Sequence, residues 1–471
     1  MDRRQLAEAL RPVVSGGGTA YLALADALRG LVLDGRLLVG DTLPAERVLA
    51  GDLGASRTTV TTALDLLRGE GLVVSRQGSG TVVAAAPDRV DRPDEVDAHL
   101  ATLGPHGAIR EDDIDLTIAA PSAPSALGPL AQAAAARLPA HLAGHGLHPL
   151  GLRDLRQAIA GRYEQRGVPT TADQIVVTQG ALHGWDLMLR AYAKPGDPVG
   201  LEVPTYAGCA DAARAHHVRL TPVGVDGWGW SLPRRTTHPV IAVVTPDHQN
   251  PTGAHASDAQ RRRLVRMLPH TRLVADETFS ELDLDDDLTP RRPLAAFGKD
   301  VVSVGSLSKL VWGGLRLGWV RADEDVVARL GLTRSAADIA APVLDQLLGI
   351  EVLAHLDAIR AERVTQLRAR RDHLLGLVEA AGWSAVRPRG GMVLWVDLGD
   401  GASSTRLAAA ARAYGVRVVP GPRFAVAGTH DRYLRLPFAK AEPVLTAALD
   451  RLRRAAADPQ QPTADPPRWT A

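Results

Sequence analysis

Five short, uninterrupted apolar runs recur along the middle of the chain, at 174–178, 198–202, 240–245, 272–275 and 301–303, each separated from the next by a segment of helical character. A strand with apolar side chains on both faces must be covered on both faces, and here the covering helices lie between successive strands. The pattern predicts an α/β fold built on a mostly parallel central sheet. Open sheets of this kind collect their functional groups at the strand ends. With 471 residues, 45% of them hydrophobic, the chain can hold two or three domains around a large buried core.

The most distinctive strand end is the last. Gly305-Ser306-Leu307-Ser308-Lys309 follows the final apolar run, and Arg316 comes seven residues after Lys309. The chain has only four lysines, at 194, 299, 309 and 440, and arginines supply the remaining basic residues. Arginine stays protonated and forms no imine, whereas a partly desolvated lysine does. An amine, two hydroxyls and a guanidinium at this spacing predict a pyridoxal 5'-phosphate site, with Lys309 as the imine-forming residue and Ser306, Ser308 and Arg316 on the phosphate. Taken alone, the pentapeptide also fits a solvated lysine in a Gly/Ser loop.

Polar motifs lie at similar places upstream. They are Pro149-Leu-Gly151-Leu-Arg-Asp-Leu155-Arg156, Thr178-Gln179-Gly180-Ala181-Leu182, Glu202-Val-Pro-Thr205-Tyr206, Asn250-Pro-Thr-Gly253 and Asp276, with Tyr433-Leu-Arg435-Leu-Pro437 far downstream. In this order they resemble the fold type I aminotransferases across essentially all of 114–455. The resemblance implies that Gly180, Ala181 and Leu182 hold the cofactor phosphate with backbone amides at a helix N-terminus. It further implies that Tyr206 stacks on the pyridine ring, that Asn250 bonds the ring oxygen, and that Asp276 pairs with the pyridinium nitrogen so that the ring draws electrons. Arg435 then takes an α-carboxylate through its planar fork. The segment from about 350 to 455 reads as a smaller C-terminal α+β subdomain behind a long arginine-rich helix.

The first 84 residues carry a different pattern. Helices are expected over 19–34, 45–53 and 57–69, the last capped by Ser56, followed by strands over 72–75 and 81–84 joined by Gln77-Gly78-Ser79-Gly80. Three helices and a hairpin make a winged helix-turn-helix with 57–69 as recognition helix. Leu43-Pro-Ala-Glu-Arg47, Ser56-Arg57-Thr58-Thr59-Val60, Glu70-Gly71-Leu72 and Arg76-Gln77-Gly78-Ser79-Gly80-Thr81 resemble the GntR family of bacterial transcription regulators. The expected partner is double-stranded operator DNA, contacted by Arg47, Ser56, Arg57, Thr58 and Thr59 and by Arg76, Gln77 and Gly78 of the wing. Residues 1–84 hold nine acidic and nine basic side chains, so attraction to phosphates must come from placement, not bulk charge.

Expected boundaries are a flexible N-terminus over 1–17, the winged helix over 18–84, an acidic, proline-bearing linker over 85–113, the large domain over 114–455 and a disordered tail over 456–471. The lone cysteine, Cys209, allows no intramolecular disulfide and reads as a packing residue. No metal site is expected. Without an apolar signal core or a bilayer-length apolar stretch, a cytoplasmic location is expected.

Two departures bear on activity. The family's Asp-x-x-Tyr reads Asp276-Glu277-Thr278-Phe279 here, which removes a phenol that donates to the cofactor oxygen. The tyrosine usually found before Pro149, which reaches the partner subunit's phosphate, is replaced by His145-Gly146-Leu147-His148, and either histidine is a candidate for its role. A GntR winged helix fused to an aminotransferase-like domain resembles the MocR/GabR group of transcription regulators. That resemblance implies a homodimer whose operator binding responds to pyridoxal phosphate or to an amine or amino-acid effector forming an aldimine, with little or no transaminase turnover. The alternatives are an active aminotransferase with an accessory DNA-binding domain, and a DNA-binding scaffold whose large domain only dimerises.

Overall fold

The computed structural model describes residues 3–14, 20–33, 36–76, 80–84, 112–226, 229–232, 238–288, 291–425 and 429–458. At the N-terminus, α1 (Arg3–Val14), α2 (Ala20–Leu33), α3 (Glu46–Leu53) and α4 (Arg57–Gly69) precede an antiparallel hairpin of β1 (Val73–Arg76) and β2 (Gly80–Val83). Residues 3–14, expected to be flexible, are instead helical. Leu6 and Leu10, one helical turn apart, are buried with Leu24, Leu28 and Leu49, and Arg3 pairs with Asp52 at 2.7 Å. A two-leucine stripe among charged residues is a weak signal in sequence, yet it suffices once α2 and α3 supply the opposing surface.

Ser56 caps α4 as expected, its hydroxyl accepting the Thr59 amide at 3.0 Å. The wing turn at 77–79 lies outside the described residues, as do 85–111 and 459–471, most of the expected linker and tail. Asp112 and Asp113, assigned to the linker by sequence, are tied to the large domain. Arg451 Nη1 donates to the Asp112 carbonyl at 3.0 Å, and Asp113 lies 3.7 Å from Arg417. At the far end, the final helix Glu442–Ala457 runs two residues into the expected tail.

After the short β3 (Ile114–Asp115), the large domain forms an eight-stranded sheet. Its strands are β4 (Ile175–Thr178), β5 (Pro198–Val203), β6 (Arg219–Asp226), β7 (Gly229–Ser231), β8 (Ile241–Val244), β9 (Arg272–Asp276), β10 (Val301–Ser306) and β11 (Gly318–Arg321), in the order β4-β11-β10-β9-β8-β5-β6-β7. Four of the expected strands form its centre and the fifth, β4, forms an edge. The four pairings from β10 across to β6 are parallel. Sequence reading missed β6, β7 and β11. β11 runs antiparallel to both neighbours, and β7 folds back on β6. Every residue of β4, β8 and β10 is buried, as expected of strands covered on both faces.

The smaller domain follows the long helix Leu356–Ala380. It contains an antiparallel sheet of β12 (Ser384–Ala385), β13 (Val393–Asp397), β15 (Val419–Pro420) and β16 (Tyr433–Pro437), while β14 (Val416–Arg417) pairs in parallel with β3. Among the described residues, no helix is long and apolar enough to cross a membrane.

Candidate functional site

A cavity of about 160 Å³ opens where β8, β9 and β10 end and the helix Ala181–Tyr192 begins. Sequence-predicted residues separated by well over a hundred positions converge on it. Ala181, Leu182 and Tyr206 line one side, Asn250 and Asp276 another, and Ser306, Ser308, Lys309 and Arg316 close it. Gly180 does not line the cavity itself, but it shapes the anion end.

Gly180 adopts φ +99°, a left-handed conformation that glycine takes at little cost. Arg316 Nη2 donates to the Gln179 carbonyl at 2.7 Å, and a Cβ added at Gly180 would lie 2.9 Å from that same nitrogen. The positive φ is what calls for glycine here, and any side chain would also have to move the end of Arg316. The first-turn amides of a helix have no intrahelical acceptors. With Arg316, itself at φ +48°, they form a positive pocket for a phosphate. The Ser306 hydroxyl donates to the Leu317 carbonyl at 3.0 Å and accepts the Ser308 hydroxyl at 3.0 Å. Substituting alanine for Gly180 should push Arg316 aside and raise the pyridoxal phosphate dissociation constant about tenfold or more, a loss of at least ~1.4 kcal/mol. Titration of cofactor absorbance in the two proteins checks this, and equal affinity would show that Arg316 adjusts freely.

Lys309 Nζ donates to the Ala119 carbonyl at 2.8 Å. Burial, then the nearby Arg435 and Arg316 guanidiniums, draw its pKa down to about 8, while Asp276 opposes the shift. The amine is therefore substantially neutral in mildly basic water, as a carbonyl-capturing nucleophile must be. At the end of β9, Asp276 Oδ1 accepts the Thr278 amide at 2.9 Å, and burial pushes its carboxyl above the ordinary range. A buried carboxylate whose donors come from Thr278 alone, with no paired cation among the described residues, is suited to receive a cationic ring nitrogen. The buried Asn250 Oδ1 has no hydrogen-bond partner among the described residues, and Tyr206, 43% exposed, lines the cavity. An unpartnered amide, an acid able to take a cation and a phosphate cradle together fit pyridoxal phosphate.

Arg435 sits in the middle of β16, 3% exposed, with its guanidinium carbon 5.2 Å from the Phe424 ring. Its Nη2 donates to the Thr117 carbonyl, and burial lowers its pKa to about 10. Arg435 does not line the cavity, but the carbonyl it holds, that of Thr117, lies two residues before the Ala119 carbonyl that accepts from Lys309. Phe279 lines the cavity and is 2% exposed, so no phenol is present at this position. His145 and His148, with ring centroids 6.4 Å apart, do not line the cavity.

Sequence reading missed several groups. Cys209 and Trp185 line the cavity, with the thiol's pKa pushed well up by burial, which keeps it a packing residue. Glu202 is buried and its pKa rises to about 7, although Trp230 Nε1 at 2.6 Å, the Thr245 amide at 2.8 Å and Gln249 Nε2 at 3.1 Å all donate to it. The carbonyls of Thr117 and Ala119 leave no signal in side-chain identity.

In the winged helix, Arg47, Ser56, Arg57 and Thr58 are exposed and Thr59 is half-buried. The hydroxyls of Ser56 and Thr59 lie 2.8 Å apart. Arg47, Arg57 and Thr58 are left as the freer groups on this end of α4. The side chain of Arg76, with Gln77 and Gly78, lies outside the described residues.

Comparison with known proteins bears on both halves. Residues 111–452 match the class I and II aminotransferase family, and residues 20–83 match the gntR family of bacterial regulatory proteins. The HTH-type transcriptional regulator YdfD of Bacillus subtilis is 26% identical over 460 residues, covering 89% of this chain and 92% of its own. The HTH-type pyridoxine biosynthesis transcriptional regulator PdxR of Corynebacterium glutamicum is 32% identical over 307 residues, 64% of this chain and 65% of its own. Among solved structures, LysN, an α-aminoadipate aminotransferase of Thermus thermophilus complexed with N-(5'-phosphopyridoxyl)-L-leucine, superposes with TM-score 0.65 at 26% identity. It covers 77% of this chain and 97% of that one.

Proposed function

The chain belongs to the class I and II aminotransferase family, with a gntR-family DNA-binding domain ahead of it, and from that starting point we propose a homodimeric transcription regulator whose operator binding is set by pyridoxal phosphate together with an amine or amino-acid effector. The winged helix is assigned to 18–84 and the cofactor-binding domain to 114–455, with a cytoplasmic location. The observation that carries the proposal is that Lys309, which lines the cavity, and Arg435, which does not line it, donate to the Ala119 and Thr117 carbonyls of one short segment, so that the two cations stand two residues apart along it. One suits an aldehyde, the other a carboxylate.

Bound pyridoxal phosphate supplies an aldehyde that condenses with amines and a ring that withdraws electrons. The chain's own groups orient it. Arg316, the helix N-terminus at Ala181 and the two serines would anchor the phosphate, Asp276 would keep the ring nitrogen protonated, and Asn250 would bond the ring oxygen. Lys309 would hold the cofactor's aldehyde carbon until an effector amine takes its place, and Arg435 would fix the direction of that effector's carboxylate. The missing phenol at Phe279 favours retention of the cofactor over turnover. An effector changes DNA binding only if its affinity differs between two arrangements of the dimer, and a ligand engaging both Lys309's partner and Arg435 meets that condition.

The test is footprinting on DNA selected by the full-length protein, with and without pyridoxal phosphate and with a panel of amino acids, alongside single-turnover absorbance with the same panel. The expected result is a cofactor- or amino-acid-dependent change in protection, with conversion of the amino acid slow or absent. Rapid conversion with unchanged protection would instead identify an aminotransferase with an accessory DNA-binding domain.

A further inference from the structure

The first stretch of the large domain after the inter-domain connection is held at both ends. β3 pairs Ile114 and Asp115 with Val416 and Arg417, and Arg363 Nη2 donates to the Ser122 carbonyl at 2.7 Å. Between these anchors the backbone turns under the control of Asp115, whose Oδ1 accepts the Thr117 amide at 2.7 Å and the Thr117 hydroxyl at 2.6 Å. The turn presents two outward carbonyls to two cations. Thr117 O accepts from Arg435 Nη2, and Ala119 O accepts from Lys309 Nζ. Ile118, between them, is 57% exposed, while Leu116 and Ala119 on either side are buried in the core and anchor the turn there.

A buried guanidinium left without an acceptor is costly, and Arg435 already has one buried nitrogen, Nε, without a partner. A carbonyl is a neutral acceptor, whereas a carboxylate accepts two parallel charge-assisted bonds from the same fork and is the stronger partner. We propose that residues 115–119 are a resident placeholder in the effector site, that a carboxylate on Arg435 displaces the Thr117 carbonyl, and that this displacement moves the segment through which the winged helix is joined to the large domain. The proposal rests on the reading of Arg435 as the carboxylate site. It makes Asp115 a positioning residue, since that carboxylate shapes the turn without facing the cavity.

The experiment compares N-(5'-phosphopyridoxyl)-L-alanine with N-(5'-phosphopyridoxyl)ethylamine, the same conjugate without its carboxylate, on the full chain. The readout is hydrogen exchange of Leu116, whose amide donates to the Arg417 carbonyl at 2.9 Å, and of Thr117. Saturation with the alanine conjugate should speed exchange at both amides about tenfold relative to the ethylamine conjugate. Affinity adds a second measure. Asp115→Asn keeps an acceptor for the Thr117 amide and removes the charge, whereas Asp115→Ala removes both. The alanine conjugate's advantage over the ethylamine conjugate should be larger in the Ala variant than in the Asn variant by about threefold or more. An Arg435-dependent preference for the carboxylate, with exchange at Leu116 and Thr117 the same for both conjugates, overturns the placeholder and leaves the effector site intact. If the conjugates bind equally and Arg435→Ala changes nothing, the carboxylate-site reading fails and the placeholder falls with it.

Discussion

Replacing Lys309 with alanine is expected to abolish covalent capture of pyridoxal phosphate while leaving a folded protein. In wild type, borohydride reduction should fix the pyridoxyl group on the peptide containing Lys309. In the variant, no peptide should be labelled, including those with Lys194, Lys299 and Lys440. The cavity supports this large effect because Lys309 is the lysine that lines it, and because its amine is depressed from 10.5 to about 8. That depression leaves roughly 300-fold more neutral amine at about pH 7 than an ordinary lysine has. The sign of the pH dependence follows: capture should accelerate as pH rises and level off just above 8, not continue to climb toward 10.5. Arg435 is the second cause of that shift after burial, so Arg435→Ala should move the midpoint upward. Labelling of Lys299, or a midpoint near that of a free lysine, would defeat the assignment.

The second large effect is expected on DNA. Arg57 stands exposed at the first position of α4, at the positive end of the helix, where Ser56 has already satisfied the Thr59 amide. Arg57→Ala should weaken operator binding about tenfold at low salt, and should make the dependence of log affinity on log salt shallower by about one unit if the contact is to phosphate. Unchanged binding at every salt concentration would remove α4 as the recognition helix. Because the acidic and basic residues of this region are equal in number, losing one well-placed arginine matters more than it would on a broadly basic surface.

How much of this was legible in the sequence depended on the kind of signal. The five apolar strands and α2 to α4 could be read because apolar periodicity reports burial directly, Lys309 and Arg316 because a residue scarce in this chain stands seven positions before an arginine, and Asp276 through the family resemblance. β11 was not read. It runs against both of its neighbours, so the alternating strand and helix pattern gives no reason to expect it. α1 escaped because its apolar stripe consists of little more than Leu6 and Leu10, which acquire meaning only when α2 and α3 are in place. In the site, side-chain chemistry was visible and backbone chemistry was not. Nothing in the letters Thr117-Ile118-Ala119 marks two carbonyls that hold Arg435 and Lys309. For Ser56 and Thr59 the residue types gave no sign that the two hydroxyls meet across the start of α4 at 2.8 Å.

The phosphate cradle belongs to the eight-stranded sheet, whereas Arg435 belongs to the four-stranded sheet of the smaller domain. A molecule reaching both is a noncovalent crosslink between two parts of the chain, each with its own hydrogen-bonded framework. Pyridoxal phosphate alone grips the first part and raises its resistance to opening by mass action. An effector attached to the cofactor and seated on Arg435 also links the opening of the second part to that of the first. Ligand length thereby acts as a control on mechanical cooperativity: a compound too short to span the gap can bind tightly and still leave the two frameworks free to open separately.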